Sequence, residues 1–156
     1  INLYVPNGQS VGSNKYAYKL NWLAALEAWL QAELKQHEQV VVMGDFNIAP
    51  AAADVYDPEK WGEAILCSPL EREALGELFK LGLTDVFRKF EHPEGTFSWW
   101  DYRGGGYRAN EGLRIDLILS SAEMLAALTE CRIDENPRQR ERPSDHTPVI
   151  ATYKLA

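Results

Sequence analysis

One short run of apolar residues limits the folds open to this chain more than any other feature. Residues 40–43, Val-Val-Val-Met, are apolar without interruption and are followed at once by Gly44 and Asp45. An uninterrupted run of this kind is typical of a strand buried on both faces, as in sheets that helices cover on both sides. The run therefore predicts a central strand in a layered α/β domain.

The segments around this run supply helices and further strands. Residues 16–36 carry leucines three or four positions apart, which predicts a long amphipathic helix with Lys19 on its solvent side. Residues 71–81 predict a second helix. Strands are predicted at residues 1–5, 96–100, 113–120, 130–133 and 148–153. Strands mixed with two main helices indicate an α/β domain.

The composition is that of an ordinary globular domain and argues against several classes of protein. The 156 residues suffice for one domain with a sizeable core, and no apolar run approaches the length of a membrane span. Cys67 and Cys131 match no metal-ligand spacing, and buried reduced thiols are compatible with a cytoplasmic protein. The net charge of −7 disfavours a simple nucleic-acid binder. A nuclease can nevertheless be acidic overall, because its acidic residues can be concentrated in a metal site while basic residues line one rim.

A polar cluster follows the apolar run directly. Residues 44–47 read Gly-Asp-Phe-Asn, so a carboxylate and an amide stand where the predicted strand ends. Functional side chains in α/β proteins collect at the ends of strands. Gly, Asp and Asn also favour turns, so this segment taken alone is equally compatible with a plain turn.

Two further predicted strands carry ionisable side chains. Arg114 and Asp116 lie in the alternating segment 113–120, on the side away from the apolar residues. For Asp116 a solvent-facing position is the simpler interpretation. Ser144-Asp145-His146 precedes the last strand. Asp145 and His146 could bind a divalent cation and transfer a proton, or could form a cap followed by a partly exposed histidine.

Considered together, the three segments predict one site. Three strands of one sheet can bring carboxylates, an amide and an imidazole into a single pocket. Hydrolysis of a phosphodiester with Mg²⁺ requires these groups, because the metal neutralises charge on the phosphate and a carboxylate or imidazole moves the proton of the attacking water. The amide would orient the phosphate.

Five segments also share a pattern that extends over nearly the whole chain. In order they are residues 2–8 (Asn-Leu-Tyr-Val-Pro-Asn-Gly), 44–50 (Gly-Asp-Phe-Asn-Ile-Ala-Pro), 97–103 (Phe-Ser-Trp-Trp-Asp-Tyr-Arg), 112–119 (Gly-Leu-Arg-Ile-Asp-Leu-Ile-Leu) and 144–149 (Ser-Asp-His-Thr-Pro-Val). They resemble the successive C-terminal motifs of exonuclease III-type abasic-site (AP) endonucleases, in the endonuclease/exonuclease/phosphatase superfamily. The Gly-Asp-x-Asn motif (44–47) and the Ser-Asp-His motif (144–146) are shared across the superfamily. The aromatic segment (99–103), together with Gly-Leu-Arg-Ile-Asp (112–116), is more specific to the exonuclease III branch.

The resemblance implies a catalytic role for five residues. Tyr4 would contact the scissile phosphate, and Asp45 would transfer a proton to the leaving group or from the water. Asn47 would hold the phosphate and orient its neighbours. Asp116 would pair with His146 and set the tautomer of its ring, as a carboxylate does for an imidazole.

Further residues are implied to bind substrate and metal. Asn7 would contact the scissile phosphate, Trp99 would line a pocket for a sugar without a base, and Arg103 would lie against the DNA backbone. The implied cofactor is Mg²⁺, or Mn²⁺ in its place. The implied metal ligands are Asp45, Asn47 and Asp145.

The resemblance implies a four-layered α/β-β/α sandwich of the deoxyribonuclease/exonuclease III kind, with mixed sheets flanked by helices. A principal metal-binding Glu of the family comes from the N-terminal half, and Ile1 already begins a predicted strand. Residues 1–156 are therefore expected to be the C-terminal portion of one such domain, with the N-terminal part absent. Alone, this portion is expected to be a weak or inactive nuclease. It is also expected to pair with the missing part or with a second copy, because half a sandwich exposes apolar surface.

The predicted function is that of a DNA-repair phosphodiesterase, an exodeoxyribonuclease III or AP endonuclease acting on double-stranded DNA at abasic sites or 3′ ends. Relatives in the superfamily cleave inositol phosphates, sphingomyelin or undamaged DNA, and the Trp99 segment favours abasic or 3′-end DNA. A non-catalytic module that binds nucleic acid through the aromatic segment is the alternative from another class. Such a module has no need for all five polar side chains of the predicted site, which are Asp45, Asn47, Asp116, Asp145 and His146.

Overall fold

The computed structural model describes residues 1–155 and is built on a four-stranded mixed sheet. Numbered along the chain and given in the order of pairing, its strands are β1 (Asn2–Tyr4), β2 (Val41–Asp45), β6 (Asp116–Ser120) and β3 (Thr84–Asp85). Strand β1 runs parallel to β2, and β6 runs antiparallel to both β2 and β3. The predicted central strand is thus confirmed as β2, which has a neighbour on each side.

Two helices cover one face of this sheet. Helix α1 (Asn14–Gln36) begins at the N-cap Ser13, and helix α3 (Pro69–Lys80) begins at Ser68, which forms a capping box with Glu71. Apolar side chains of both helices form one core with β2 and β6, including Leu23, Leu26, Leu30, Leu75, Leu78, Val42, Leu117 and Leu119. Both predicted helices are therefore confirmed. No helix in the described part of the chain is long and apolar enough to cross a membrane.

Further strands pack on the opposite face or extend from the edge of the sheet. Strands β7 (Leu128–Ile133) and β8 (Val149–Tyr153) form an antiparallel pair whose apolar side packs on β6 through a second core. A shorter pair consists of β4 (Trp99–Trp100) and β5 (Gly112–Leu113). Helices, a mixed sheet and a further strand pair are stacked in the order expected for the predicted sandwich. The remaining short helices are α2 (Pro58–Trp61), α4 (Gly106–Ala109) and α5 (Ala122–Ala126).

The prediction of one continuous strand over residues 113–120 is wrong. Leu113 pairs with Trp99, and β6 begins only at Asp116. The apolar spacing is misleading because Leu113 and Ile115 pack in a separate small core rather than in the main one. The strand predicted at residues 96–100 is likewise reduced to two residues.

The segment between β5 and β6 carries an arginine whose side chain lies inside the protein. Arg114 is fully buried, and its guanidinium donates to Asp54 Oδ1 at 2.6 Å and to Asp85 Oδ2 at 2.7 Å. This buried ion cluster ties the segment that precedes Asp116 to Asp54, in the segment between β2 and α2, and to Asp85, the last residue of β3. The predicted outward position of Arg114 is therefore wrong.

The predicted solvent exposure of Lys19 is also wrong. The side chain is completely buried and forms a salt bridge with Glu71, whose side chain is completely buried too. Lys19 lies on the buried stripe of α1, four residues before Leu23, where the helix packs against α3 as well as against the sheet.

Candidate active site

Two carboxylates face each other at one edge of the main sheet. Asp45 is the last residue of β2 and Asp116 is the first of β6, and the antiparallel register pairs these two residues directly. Tyr4, the last residue of β1, is paired with Asp45 in the parallel register, and its side chain is 63% exposed. Three predicted catalytic residues are thus placed side by side by strand pairing alone.

His146 completes this group from a distant part of the chain. Its Nδ1 lies 2.8 Å from Asp116 Oδ2, and its Nε2 lies 3.9 Å from Asp45 Oδ2. The backbone of this segment continues the small sheet, since Thr147 N–H donates to Ser98 O at 2.8 Å and Trp100 N–H donates to Asp145 O at 3.0 Å. The structure therefore brings His146 between the two carboxylates.

Asn47 is held in a single orientation by its neighbours. Its backbone N–H donates to Asp45 Oδ1 at 2.7 Å, and its Nδ2 donates to Asp45 Oδ2 at 3.0 Å and to Val5 O at 2.9 Å. Its Oδ1 accepts from Asn7 Nδ2 at 3.1 Å. The backbone of Asn47 has φ 49°, a left-handed conformation that Asn tolerates better than most residues. Asn7, Asn47 and Asp45 thus form one hydrogen-bonded chain.

The environment raises the pKa values of two of these groups. Burial, followed by the nearby charge of Asp116, raises the pKa of Asp45 to about 6. Burial lowers the pKa of His146, but the hydrogen bond and the charge of Asp116 outweigh it and raise that pKa overall. A carboxyl group with a pKa near 6, beside an imidazole, can exchange a proton at neutral pH.

Trp99 joins the site to a cavity. Its Nε1 donates to Asp145 Oδ2 at 3.1 Å, and its ring centroid lies 6.4 Å from that of His146. On its other side Trp99 lines a cavity of about 300 Å³, together with Tyr56, Trp61 and Arg103. Aromatic walls with a few polar groups suit a sugar or a flat ring.

This geometry can be compared with known proteins. Residues 2–146 match the Endonuclease/Exonuclease/phosphatase family. The chain belongs to this family. It is 36% identical to the Exodeoxyribonuclease III of Haemophilus influenzae, over 99% of the chain and 61% of that relative. The resemblance noted in the five sequence segments is therefore confirmed.

Two solved structures of relatives superpose closely on the chain. One is a 3′ phosphatase from Neisseria bound to a product DNA hairpin, with 47% identity and a TM-score of 0.96. The other is an AP endonuclease from Archaeoglobus fulgidus, with 36% identity and a TM-score of 0.90. Each alignment covers 99% of this chain and 60% of the other chain. These matches confirm the predicted fold class, and the chain spans about 60% of the length of these relatives.

The oxygen-rich site of this Endonuclease/Exonuclease/phosphatase family member suits part of the coordination shell of a hard cation such as Mg²⁺. Asp45 and Asn47 are in direct contact, while Asp145 accepts a hydrogen bond from Trp99. Within residues 1–155, no group of three or more His, Cys, Asp or Glu side chains is arranged to hold a metal ion. The described residues therefore fit Mg²⁺ only if water, phosphate oxygens or other residues supply further ligands.

Two residues that help to hold the polar side chains of the site in place were not predicted from the sequence. The hydroxyl oxygen of Ser98 accepts from the backbone N–H groups of Ile115 and Asp116, both at 3.1 Å, and fixes the start of β6. Lys19 Nζ donates to Asn47 O at 2.7 Å. A sequence signal for Lys19 does exist, because it falls four residues before Leu23, on the buried stripe of the helix.

Proposed function

We propose that this protein is a metal-dependent DNA-repair nuclease that hydrolyses phosphate esters at abasic sites and at DNA 3′ ends. The observation that carries the proposal is the array of Asp116, His146 and Asp45 beside the Trp99 cavity, in which His146 is hydrogen-bonded to Asp116 and lies 3.9 Å from Asp45. Support comes from relatives described as an exodeoxyribonuclease III, a 3′ phosphatase and an AP endonuclease. One of them was solved with a product DNA hairpin.

In the proposed mechanism the array handles protons and negative charge. Asp116 accepts from His146 Nδ1, so the imidazole presents Nε2 toward Asp45 and toward a phosphate bound there. A protonated His146 would stabilise charge on the phosphate, and Asp45 would take a proton from water or give one to the leaving oxygen. Mg²⁺, or Mn²⁺ in its place, would neutralise the phosphate when bound, held in part by Asp45, Asn47 and Asp145.

The remaining predicted residues would bind the substrate. Tyr4 and Asn7 lie at the same edge of the sheet as the array and would contact the scissile phosphate. Trp99 would pack against the sugar in the cavity. Arg103, exposed at the rim of that cavity, would contact the DNA backbone. A duplex with an abasic site or a free 3′ end is therefore the proposed substrate.

The proposal includes a partner for this chain. Because the described residues hold no complete metal cluster and the relatives are longer, we propose that residues 1–156 are the C-terminal portion of the catalytic domain. An N-terminal part of the same domain, or a second copy of this chain, would supply the missing ligands. Sedimentation of residues 1–156 alone tests the pairing, and a stable, cooperatively folding monomer would contradict it.

The test of function uses the natural polypeptide that contains this sequence. Three labelled substrates would be compared with Mg²⁺ present: a duplex with one abasic-site analogue, a duplex with a recessed 3′ phosphate, and a duplex with a recessed 3′ hydroxyl. We expect Asp116→Asn to lower kcat by at least about 10²-fold with DNA binding retained. Glu123→Gln, an exposed charge on α5 beyond the other end of β6, serves as the control and is expected to change nothing.

Two outcomes would favour the alternatives. DNA binding without hydrolysis of any of the three substrates would favour a binding module. Faster turnover of an inositol polyphosphate than of the DNA substrates would place the protein with another substrate class of the family.

A further inference from the structure

A buried lysine joins two loops of the site from behind. Lys19 Nζ donates to Asn47 O at 2.7 Å and to Asn7 O at 3.2 Å, and it forms a salt bridge with Glu71. An ammonium group has three N–H donors, so all three have a partner here. One side chain of helix α1 therefore holds the backbones of the loops that follow β1 and β2.

Glu71, the salt-bridge partner of Lys19, is itself held by several hydrogen bonds. The Glu71 carboxylate accepts from Leu66 N–H at 3.2 Å, from Ser68 N–H at 3.1 Å and from Ser68 Oγ–H at 2.7 Å. The hydroxyl groups of Ser68 and Tyr16 lie 2.7 Å apart. Glu71 is thus immobilised by the start of helix α3, and it holds the ammonium of Lys19 at a defined point.

A short series of hydrogen bonds leads from the Lys19–Glu71 pair into the site. The side chains of Asn7 and Asn47, whose backbones the ammonium holds, are themselves joined at 3.1 Å. Asn47 then donates twice to Asp45, at 2.7 Å and 3.0 Å. A shift of the Asn47 backbone would therefore move the Asp45 carboxylate relative to His146.

Stability alone does not explain a charged pair at this place. Taking two charges out of water is costly, and well-packed apolar residues of similar size often stabilise a protein as well or better. Burial indeed lowers the pKa of Lys19, although Glu71 opposes that shift. What an apolar pair could not do is donate hydrogen bonds to two backbone carbonyls at once.

We propose that Lys19, held by Glu71, is a positioning residue that sets the placement of Asn7 and Asn47 and, through Asn47, of Asp45. The inference deepens the proposed function and rests on it. Lys19 is completely buried behind the loops and acts through backbone oxygens rather than on the substrate. Its effect should therefore fall on turnover rather than on DNA affinity.

The test replaces both charges at once. Lys19→Met alone would strand the Glu71 carboxylate in the core, so it is combined with Glu71→Gln, which keeps an acceptor for Ser68. We expect kcat to fall by about 10²-fold, as for displacements near 1 Å, with KM within about threefold of the wild type. Lys19→Arg keeps the charge but replaces the compact ammonium with a longer planar group. It is expected to lower kcat at least about tenfold, with KM unchanged.

A spectroscopic measurement does not depend on activity. In ¹H–¹⁵N spectra the side-chain amide of Asn47, which donates to both Asp45 and Val5, should be well dispersed in the wild type. We expect its two proton signals to collapse toward solvent-exposed values in both variants. This measurement remains informative if the double variant alone fails to fold, because Lys19→Arg preserves the ion pair.

The control is Leu78→Ala, which removes a buried core side chain of the same helix α3. If this control, at a similar loss of Tm, lowers kcat as much as the double variant does, Lys19 acts only through global stability and the proposal is overturned. Unchanged Asn47 signals, or a kcat within threefold of wild type, would overturn it as well. A wild-type protein inactive on every DNA substrate would instead defeat the proposed function, and the amide signals would still decide the placement of Asn47.

Discussion

Replacing Asp45 with asparagine should make the protein more stable and inactive. Burial and the charge of Asp116 raise the pKa of Asp45 from its ordinary value of 3.8 to about 6. Since the folded-state pKa lies above the unfolded one, the ionised carboxylate lowers stability above about pH 6, and this cost disappears below pH 3.8. At about 1.4 kcal/mol for each pKa unit, the cost at pH 8 is at most about 3 kcal/mol.

A lost hydrogen bond offsets part of this gain. Asparagine has nearly the same shape as aspartate, and its Oδ1 can still accept from the backbone N–H of Asn47, which donates to Asp45 at 2.7 Å in the wild type. Its Nδ2 cannot accept from the side-chain amide of Asn47, which donates to Asp45 Oδ2 at 3.0 Å in the wild type. This loss costs about 1–2 kcal/mol. The net expectation is a gain of about 1–2 kcal/mol near pH 8 and a loss of about 1–2 kcal/mol near pH 3.5.

Urea unfolding followed by tryptophan fluorescence measures both values, with a chelator present so that no divalent cation masks the repulsion between Asp45 and Asp116. Adding Mg²⁺ should then stabilise the wild type more than the variant. Glu123→Gln, on the exposed side of α5, should show no such dependence on pH. If Asp45→Asn destabilises the protein equally near pH 8 and near pH 3.5, neither burial nor the charge of Asp116 penalises the ionised Asp45 carboxylate, and the reasoning fails.

Two substitutions test the scaffold, and a labelling experiment tests the thiols. Arg114→Met leaves the buried Asp85 carboxylate without a cation, while Asp54 keeps its salt bridge to Arg88, so urea titration should show a loss of about 3 kcal/mol; a loss under about 1 kcal/mol would contradict this. Gly44 has φ 138°, and a Cβ there would lie 1.9 Å from Leu3 O, so Gly44→Ala should lower Tm sharply in a circular dichroism melt, and an unchanged Tm would refute the close approach. Burial raises the pKa of both Cys67 and Cys131 to about 11, so Ellman's reagent should label them only after denaturation, and rapid labelling of native protein would argue otherwise.

The elements that could be predicted from the sequence are those whose pattern is local. Strand β2 is an uninterrupted apolar run, and α1 carries a regular leucine stripe, so each shows its burial within a few residues of sequence. Asp45 and His146 could be selected because they lie at the ends of such elements, where function collects.

The features that could not be predicted depend on partners far along the chain. The burial of Lys19 depends on Glu71, and the burial of Arg114 depends on Asp54 and Asp85. A charge is stable inside a protein only when such a partner is present, and the spacing that places Lys19 on the buried stripe of α1 does not reveal that partner. The break before Asp116 escaped prediction for a similar reason, because two adjoining strands can share one alternation while packing in different cores.

Pairing Asp45 with Asp116 across β2 and β6 makes the site sensitive to insertions inside these strands and tolerant of them elsewhere. One added residue in either strand would turn the following side chains to the opposite face and separate the carboxylates. The segment from Tyr56 to Trp61, beyond the Asn47 loop, is not part of this strand pairing, and it contributes Tyr56 and Trp61 to the Trp99 cavity. New substrate preferences could therefore evolve by changes in the length of this segment while the proposed hydrolytic centre stays intact.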